Sequence, residues 1–398
     1  MVDSTVELLT ARAPGCPFDP PAELTRSSAQ APLTPLGFPD GHQGWLATGH
    51  ATVRRVLADP RFSARTELMH APMPGHEGIT PPPEPGIFIS MDAPEHPRYR
   101  RLLTGKFTVR RMTQLTARIE RVAAEHLDLM ERHGGPIDLV TAYAQPIPAT
   151  VICELLGVPY EDRERFHADA ATIFGADTTT PEGLVESYQA FKALTAYVRE
   201  LVTAKRAEPT DDVLSDLTAH DLTDDELTGI GVLLLAAGLD TTTNMIALGT
   251  FALLQHPDQW AALRTDPDLV APAVEELMRY LTVVPTLVRV ALKDVELDGH
   301  LVKSGSTVVL ASSAANRDPA KFTGPNTLDL RRNPVGHVGF GHGPHQCLGQ
   351  QLARVEMRVA FPALAARFPG LRLAGPADDI PLRERATVYG VTSLPVTW

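Results

Sequence analysis

The segment FGHGPHQCLG, Phe340 to Gly349, places three glycines, two histidines and one of only three cysteines side by side. A helical pattern over 348–367 follows, with positions 348, 352, 356 and 359 on one face. Cys347 therefore stands at the head of a helix, where the dipole and free backbone N–H groups favour a thiolate. Gly341, Gly343 and Gly349 strip side chains from around the sulfur, which suits a large flat group lying against the backbone. Phe340 offers an aromatic lid on the same side. Two plainer readings fit the cysteine alone: a buried core thiol, or a nucleophile with His345 as its base. The second has no evident third group to orient the histidine.

The rest of the chain narrows the choice. Its 398 residues are 43% hydrophobic, enough for a large interior, and carry a net charge of −12. That charge speaks against binding nucleic acid or anionic membranes. The opening MVDSTVELLTARAPGCPFDPP has no basic stretch before an apolar run, so neither signal peptide nor anchor is expected. The longest apolar stretch, 227–254, is interrupted by Asp240, Thr241, Thr242, Thr243 and Asn244, which argues against a membrane span. Cys16, Cys153 and Cys347 are an odd, sparse set and make no disulfide framework. A reduced, cytoplasmic protein is the expectation.

Helical periodicity marks 110–133, 146–156, 161–174, 182–207, 223–256, 258–265 and 268–281. HATVRRVLADPRFS, from His50, reads as a helix stopped by Pro60. The Pro- and Gly-rich 69–86 reads as a long loop of the functional kind. Strand-like alternation appears at 287–297 and 306–311, and the tail from 371 is short strands and turns. The expected architecture is mainly α: one domain over 1–398, with its helical part at 96–281 and 348–367. A minor β region is drawn from 1–64, 285–312 and 371–398.

Three further patterns carry chemistry. LLLAAGLDTTTNMIALG, Leu233 to Gly249, puts an acid and hydroxyls inside an apolar helix. A buried Asp240 is costly without a partner or a task. The threonine hydroxyls can bond back to the preceding turn and open a groove. In EELMR, Glu276 and Arg279 sit three apart and can pair. In EHPRYRRLLTGKFTVRR, His96 and Arg100 share a helix face. Six Lys/Arg and no acid lie between His96 and Arg111, so Arg98, Arg101, Lys106, Arg110 and Arg111 form a basic patch on an acidic protein.

Phe-Gly-x-Gly-x-His-x-Cys-Leu-Gly followed by QQLAR resembles the haem-binding loop of the cytochromes P-450, and the other patterns appear in that family's order. The likeness spans at least 90–360, with ANRDPAKF and VICELLGVP as further similar segments. It is most like the soluble actinobacterial members served by a ferredoxin. The resemblance implies the family's helical fold, with heme b as cofactor and Cys347 as axial iron ligand. It implies that His96, Arg100, Arg289 and His345 meet the haem propionates. Phe340, Gly349, Ala237 and Gly238 would touch the ring. Asp240 and Thr241 would pass protons to bound oxygen. Glu276, Arg279 and Arg332 would lock the core beneath the haem. Leu239 departs from the polar or Gly residue common in relatives and leaves the acid–alcohol pair in place.

The implied activity is a haem-thiolate monooxygenase that uses O2. Electrons would come from NAD(P)H through a reductase and a ferredoxin docked on the basic patch. Leu233, Ala237, Val284, Thr286, Leu287, Val288 and Val388, with the 69–95 loop, would line an apolar substrate pocket. A medium-sized, mostly apolar substrate of secondary-metabolite or xenobiotic type is expected, hydroxylated or epoxidised. Oxidative coupling or peroxide-driven oxidation on the same fold is the nearest rival. A haem-based sensor is the rival from another class.

Overall fold

Prolines and glycines break the start of the chain into short elements: α1 (Ala22–Gln30), β1 (Leu33–Gly37), β2 (Gln43–Ala47), α2 (His50–Ala58) and β3 (Phe62–Ser63). α2 stops before Pro60, as expected. Longer elements follow: α3 (Glu95–Thr104), α4 (Val109–Gln114), α5 (Thr116–His133), β4 (Ile137–Asp138), α6 (Pro146–Leu156), α7 (Pro181–Ala207), α8 (Val213–Thr218), α9 (Asp224–Leu254), α10 (Pro257–Thr265) and α11 (Val270–Leu281). Then come β5 (Leu287–Ala291), β6 (Val295–Leu297), β7 (His300–Val302), β8 (Thr307–Leu310), α12 (Ser312–Ala315), α13 (Gln350–Arg367), β9 (Arg372–Leu373) and β10 (Pro395–Thr397). The structure is a computed structural model that describes residues 10–13, 15–72, 81–162, 168, 172–173, 176, 180–383 and 386–398. Most of the helix expected at 161–174, and 73–80 of the long loop, lie outside them.

The sheets join distant parts of the chain. One has the order β1-β2-β8-β5-β3 and unites 33–63 with 287–310. Within it β2 and β8 run parallel, and the other neighbours are antiparallel. A second sheet, β4-β10-β9, ties the tail to Ile137–Asp138, a strand the alternation does not reveal. The strand expected over 287–297 divides into β5 and β6 at a bend, and the helix expected over 110–133 divides into α4 and α5 at Leu115.

α9 organises the helical part. Thr223 and Glu226 form a capping box: the Glu226 N–H donates to the Thr223 hydroxyl at 3.2 Å, and the Thr223 N–H donates to Glu226 at 2.7 Å. Asp224 and Asp225 add negative charge at the positive end of the dipole. The helix is long and apolar enough to cross a membrane, and most of it is buried inside the fold. It packs against α6, α7 and α13. Each leucine fully buried there contributes about 1.5–3 kcal/mol. Its polar centre is satisfied locally: Thr241 and Thr243 donate back to the Ala237 and Leu239 carbonyls at 2.9 and 2.8 Å, and the α-helix continues unbroken.

Beneath lies a charge network whose Glu276 and Arg279 are fully buried. Arg279 donates to both oxygens of Glu276 at 2.8 Å, and Arg332 Nε donates to Glu276 at 3.0 Å. Arg279 also reaches the Asn316 and Pro325 carbonyls, so one carboxylate knits α11 to the 316–332 segment. Replacing Glu276 by Ala strands two guanidinium groups. Chemical denaturation should show a loss of about 3–5 kcal/mol.

Candidate active site

The cysteine loop is shaped by its own backbone. The Cys347 N–H donates to the Phe340 carbonyl at 2.9 Å, and the Gln346 N–H to the Gly343 carbonyl at 3.0 Å. Gly341 and Gly343 take φ of 68° and 72°, the left-handed region that favours glycine. Their surroundings differ. Gly341 and Gly349 face a cavity, and a side chain at Gly349 would meet open space. A Cβ at Gly343 would run into the Leu57 carbonyl of α2. Gly343 is therefore needed for packing the loop on α2, not for clearing space near the sulfur. The exposed surface of Cys347 faces the cavity. Burial in the surrounding protein pushes its thiol up. The backbone N–H groups of Gly349 and Gln350 and the charges of Arg100 and Arg354 pull the other way.

Across the cavity from this loop stand Leu233, Ala237, Gly238 and Thr241 of α9, with Val284 and Leu287 at the side. Its rim is basic. His96 and Arg100 of α3 both line it, as their shared helix face requires, and so does His345. The His96 and His345 rings stack with centroids 3.9 Å apart, and Arg100 donates to the Gln346 carbonyl. Arg289 projects from β5 close enough to act on both histidines. Burial and the neighbouring basic groups push His345 down to about 3, and burial pushes Arg289 down to about 10. The carboxylate that acts on Arg289, Asp92, already accepts from Ser63 and the Ala64 N–H. Four basic groups thus converge without a committed anion among the described residues, a donor set that suits a dianionic ligand.

Some expected residues lie elsewhere. Thr286, Val288 and Val388 are not among the residues that line the cavity. Thr286 and Val288 have the opposite parity from Leu287 along β5, and side chains alternate across a strand. Val388 is buried in the core, where the Tyr389 N–H fastens the tail to the Val283 carbonyl at 2.7 Å. Asp240 stands behind Thr241 and does not reach the cavity. Arg383 of the tail clamps it at 2.8 and 3.2 Å, and Asn244 donates to it at 3.1 Å. Burial pushes the Asp240 carboxyl up, against the pull of Arg383. The basic patch is also smaller than its sequence count. Arg98 pairs with Glu226, and Lys106 and Arg111 pair with Asp216, acids brought in by α9 and α8. Arg101 and Arg110 stay exposed without an ion pair among the described residues.

Several lining residues escape the sequence reading, and two of them matter most. Ile152 of α6 packs beneath Gly238. Position 356, on the face taken as apolar, is a glutamate that is almost wholly buried and lines the cavity. Burial pushes Glu356 up to about 8, and the Thr242 hydroxyl, its polar partner, pulls the other way.

A family model, cytochrome P450, matches residues 46–371. The chain belongs to the cytochrome P450 family. Cytochrome P450 105C1 from a Streptomyces species is 50% identical over 386 residues, 96% of each chain. Pentalenic acid synthase of Streptomyces avermitilis is 42% identical, over 96% of this chain and 95% of the relative. The crystal structure of CYP105P1 in complex with filipin I has a TM-score of 0.91 at 42% identity, covering 97% of this chain and 98% of that one. As a cytochrome P450 the protein is a monooxygenase whose cofactor is haem with a cysteine thiolate as axial ligand.

The residues present fit that cofactor. Of the three cysteines only Cys347 lines the cavity. The buried His96 Nε2 has no hydrogen-bond partner among the described residues, an arrangement costing about 1–3 kcal/mol unless a ligand accepts from it.

Glu356 gives this site a pH signature. Its folded pKa lies above the ordinary carboxylate value, so the folded state binds the extra proton. Its contribution to stability is full below about pH 4.5 and is lost as pH rises toward about 8. In Glu356→Gln, urea unfolding at a series of pH values should lose that decline, at most about 1.4 kcal/mol per pH unit.

Proposed function

We propose that this chain inserts one oxygen atom from O2 into a medium-sized, mostly apolar molecule of secondary-metabolite or xenobiotic type. The observation that carries the proposal is the Cys347 thiol facing a cavity lined by His96, Arg100 and His345, with Arg289 close behind the two histidines, and walled by apolar side chains. Cys347 would serve as the axial ligand, and those four basic groups would hold the haem propionates. Phe340, Gly349, Ala237 and Gly238 bear on the ring faces. When bound, haem supplies O2 activation and transfer of one oxygen atom to a C–H or C=C bond. The protein's residues position the substrate, exclude water and deliver protons.

Thr241 lines the cavity, as do Thr242 and Ser312, and its own proton is donated to the Ala237 carbonyl. It can therefore accept a hydrogen bond at Oγ1, and it can redirect its proton toward oxygen. Asp240 resupplies it after exchanging its Arg383 partner for solvent. The apolar wall of Phe88, Ile89, Leu233, Val284 and Leu287 offers no charge to grip an ionic substrate. Relatives named for pentalenic acid and crystallised with filipin I support a natural-product substrate.

Electrons come from NAD(P)H through a reductase and a ferredoxin, which meets the surface at Arg101 and Arg110 with the paired Arg98, Lys106 and Arg111 around them. The chain works as one domain in the cytoplasm.

Turnover with a ferredoxin, its reductase and isotope-labelled dioxygen tests this. One labelled oxygen atom should appear in the product of an apolar substrate. Thr241→Ala should continue to consume NAD(P)H while product falls at least about tenfold and free hydrogen peroxide accumulates. Product that forms only with added peroxide, independently of the ferredoxin, would overturn the proposal.

A further inference from the structure

A charge cluster behind the cysteine loop has no part in the functions assigned above. Arg354 of α13 grips Glu275 of α11 with both arms, Nε to Oε1 at 2.6 Å and Nη2 to Oε2 at 2.9 Å. His337 Nε2 lies 3.1 Å from Glu275 Oε2, and Arg358 approaches Oε1 at 3.9 Å. Arg354 Nη1 also donates to the Gln350 side chain at 2.9 Å and to its carbonyl at 3.3 Å, across the first turn of α13. None of these charged groups lines the cavity.

The cluster closes on the cysteine through Phe340. The Arg354 guanidinium lies 4.4 Å from the centre of the Phe340 ring, and the His337 ring lies 6.0 Å from it. Phe340 lines the cavity, and its carbonyl accepts the Cys347 N–H. The Gly339 N–H donates to His337 Nδ1 at 3.1 Å, so loop and cluster are fastened twice. Pairing with His337 and Arg354 outweighs burial and holds Glu275 down to about 2, so it stays ionised. Arg354 acts on Cys347 in the sense that favours the thiolate.

We propose that Glu275 and Arg354 are positioning residues that set how much negative charge Cys347 presents to the iron, and so set the iron's reduction potential. This rests on Cys347 being the axial ligand. In the step concerned, ferric iron takes one electron from the ferredoxin and becomes ferrous, with no bond made or broken in the protein. A fixed positive charge nearby favours the form carrying the extra electron, and a fixed negative charge disfavours it. The two residues therefore act with opposite sign, a signature that packing alone does not give.

The test is a redox titration followed in the Soret band, with the reduced carbon monoxide spectrum recorded for each protein. Arg354→Gln should lower the potential and Glu275→Gln should raise it, each by several-fold in the reduction equilibrium, where tenfold is about 59 mV for one electron. The double variant should return toward wild type. Arg354→Lys, which keeps the charge, should recover most of the shift and guards against a merely misfolded variant. Single variants that match wild type, or that both move the same way while keeping the red-shifted carbon monoxide band, overturn this inference alone. A wild-type protein without that band overturns the ligand assignment beneath it.

Discussion

A thiolate inside a protein is a desolvated charge, and it persists only where a cation or several donors compensate it. Everything around Cys347 bears on that constraint. Burial pushes the thiol up, and the first amides of α13, Arg100 and Arg354 pull it back. The loop that carries the sulfur is closed by the Cys347–Phe340 hydrogen bond and needs left-handed backbone at Gly341 and Gly343. In the proposed assignment, iron bound at the sulfur would offset the remaining cost, and the basic groups near it would meet the opposite charge of the propionates. The cavity is thus polarised, with two guanidinium groups and two imidazoles at one side and an apolar wall where a substrate would lie.

That polarity depends on long-range folding. His96 comes from α3, Arg289 from β5 and His345 from the cysteine loop, and β5 is held in place by pairing with β8, which in turn pairs with β2. The α9 wall depends on the tail as well, because Arg383 neutralises Asp240 while the Tyr389 amide ties the tail to Val283. The buried Glu276–Arg279–Arg332 network fixes α11. α11 also presents Glu275 to Arg354, so the structural network and the charge cluster behind the loop share one helix.

Local signals were readable from the residues alone. The cysteine loop, the Asp240–Thr241 pair, the Glu276–Arg279 spacing and the His96–Arg100 face each depend on neighbours within a few positions; the structure brings His96, Arg100, Thr241 and Cys347 to one cavity, keeps Glu276 with Arg279 in the core and turns Asp240 to Arg383. Features that depend on distant partners were not readable. Arg383 meets Asp240 from 143 positions away, and Asp216 and Glu226 reach across to neutralise most of the basic patch. Thr286 and Val288 were misplaced because an apolar run does not reveal strand parity. Glu356 was passed over because helical spacing marks a face and says nothing of a carboxylate within it. Arg332 donates to Glu276 at 3.0 Å, and only the family resemblance singled it out from Arg331.

The most direct measurement is the absorption spectrum of the purified, reduced protein under carbon monoxide, beside that of Cys347→Ala. A strongly red-shifted Soret band in the wild type, absent from the variant, is the result predicted here. A band at the position of a histidine-ligated haem, or one that survives in Cys347→Ala, would contradict the central claim that this thiolate holds the iron.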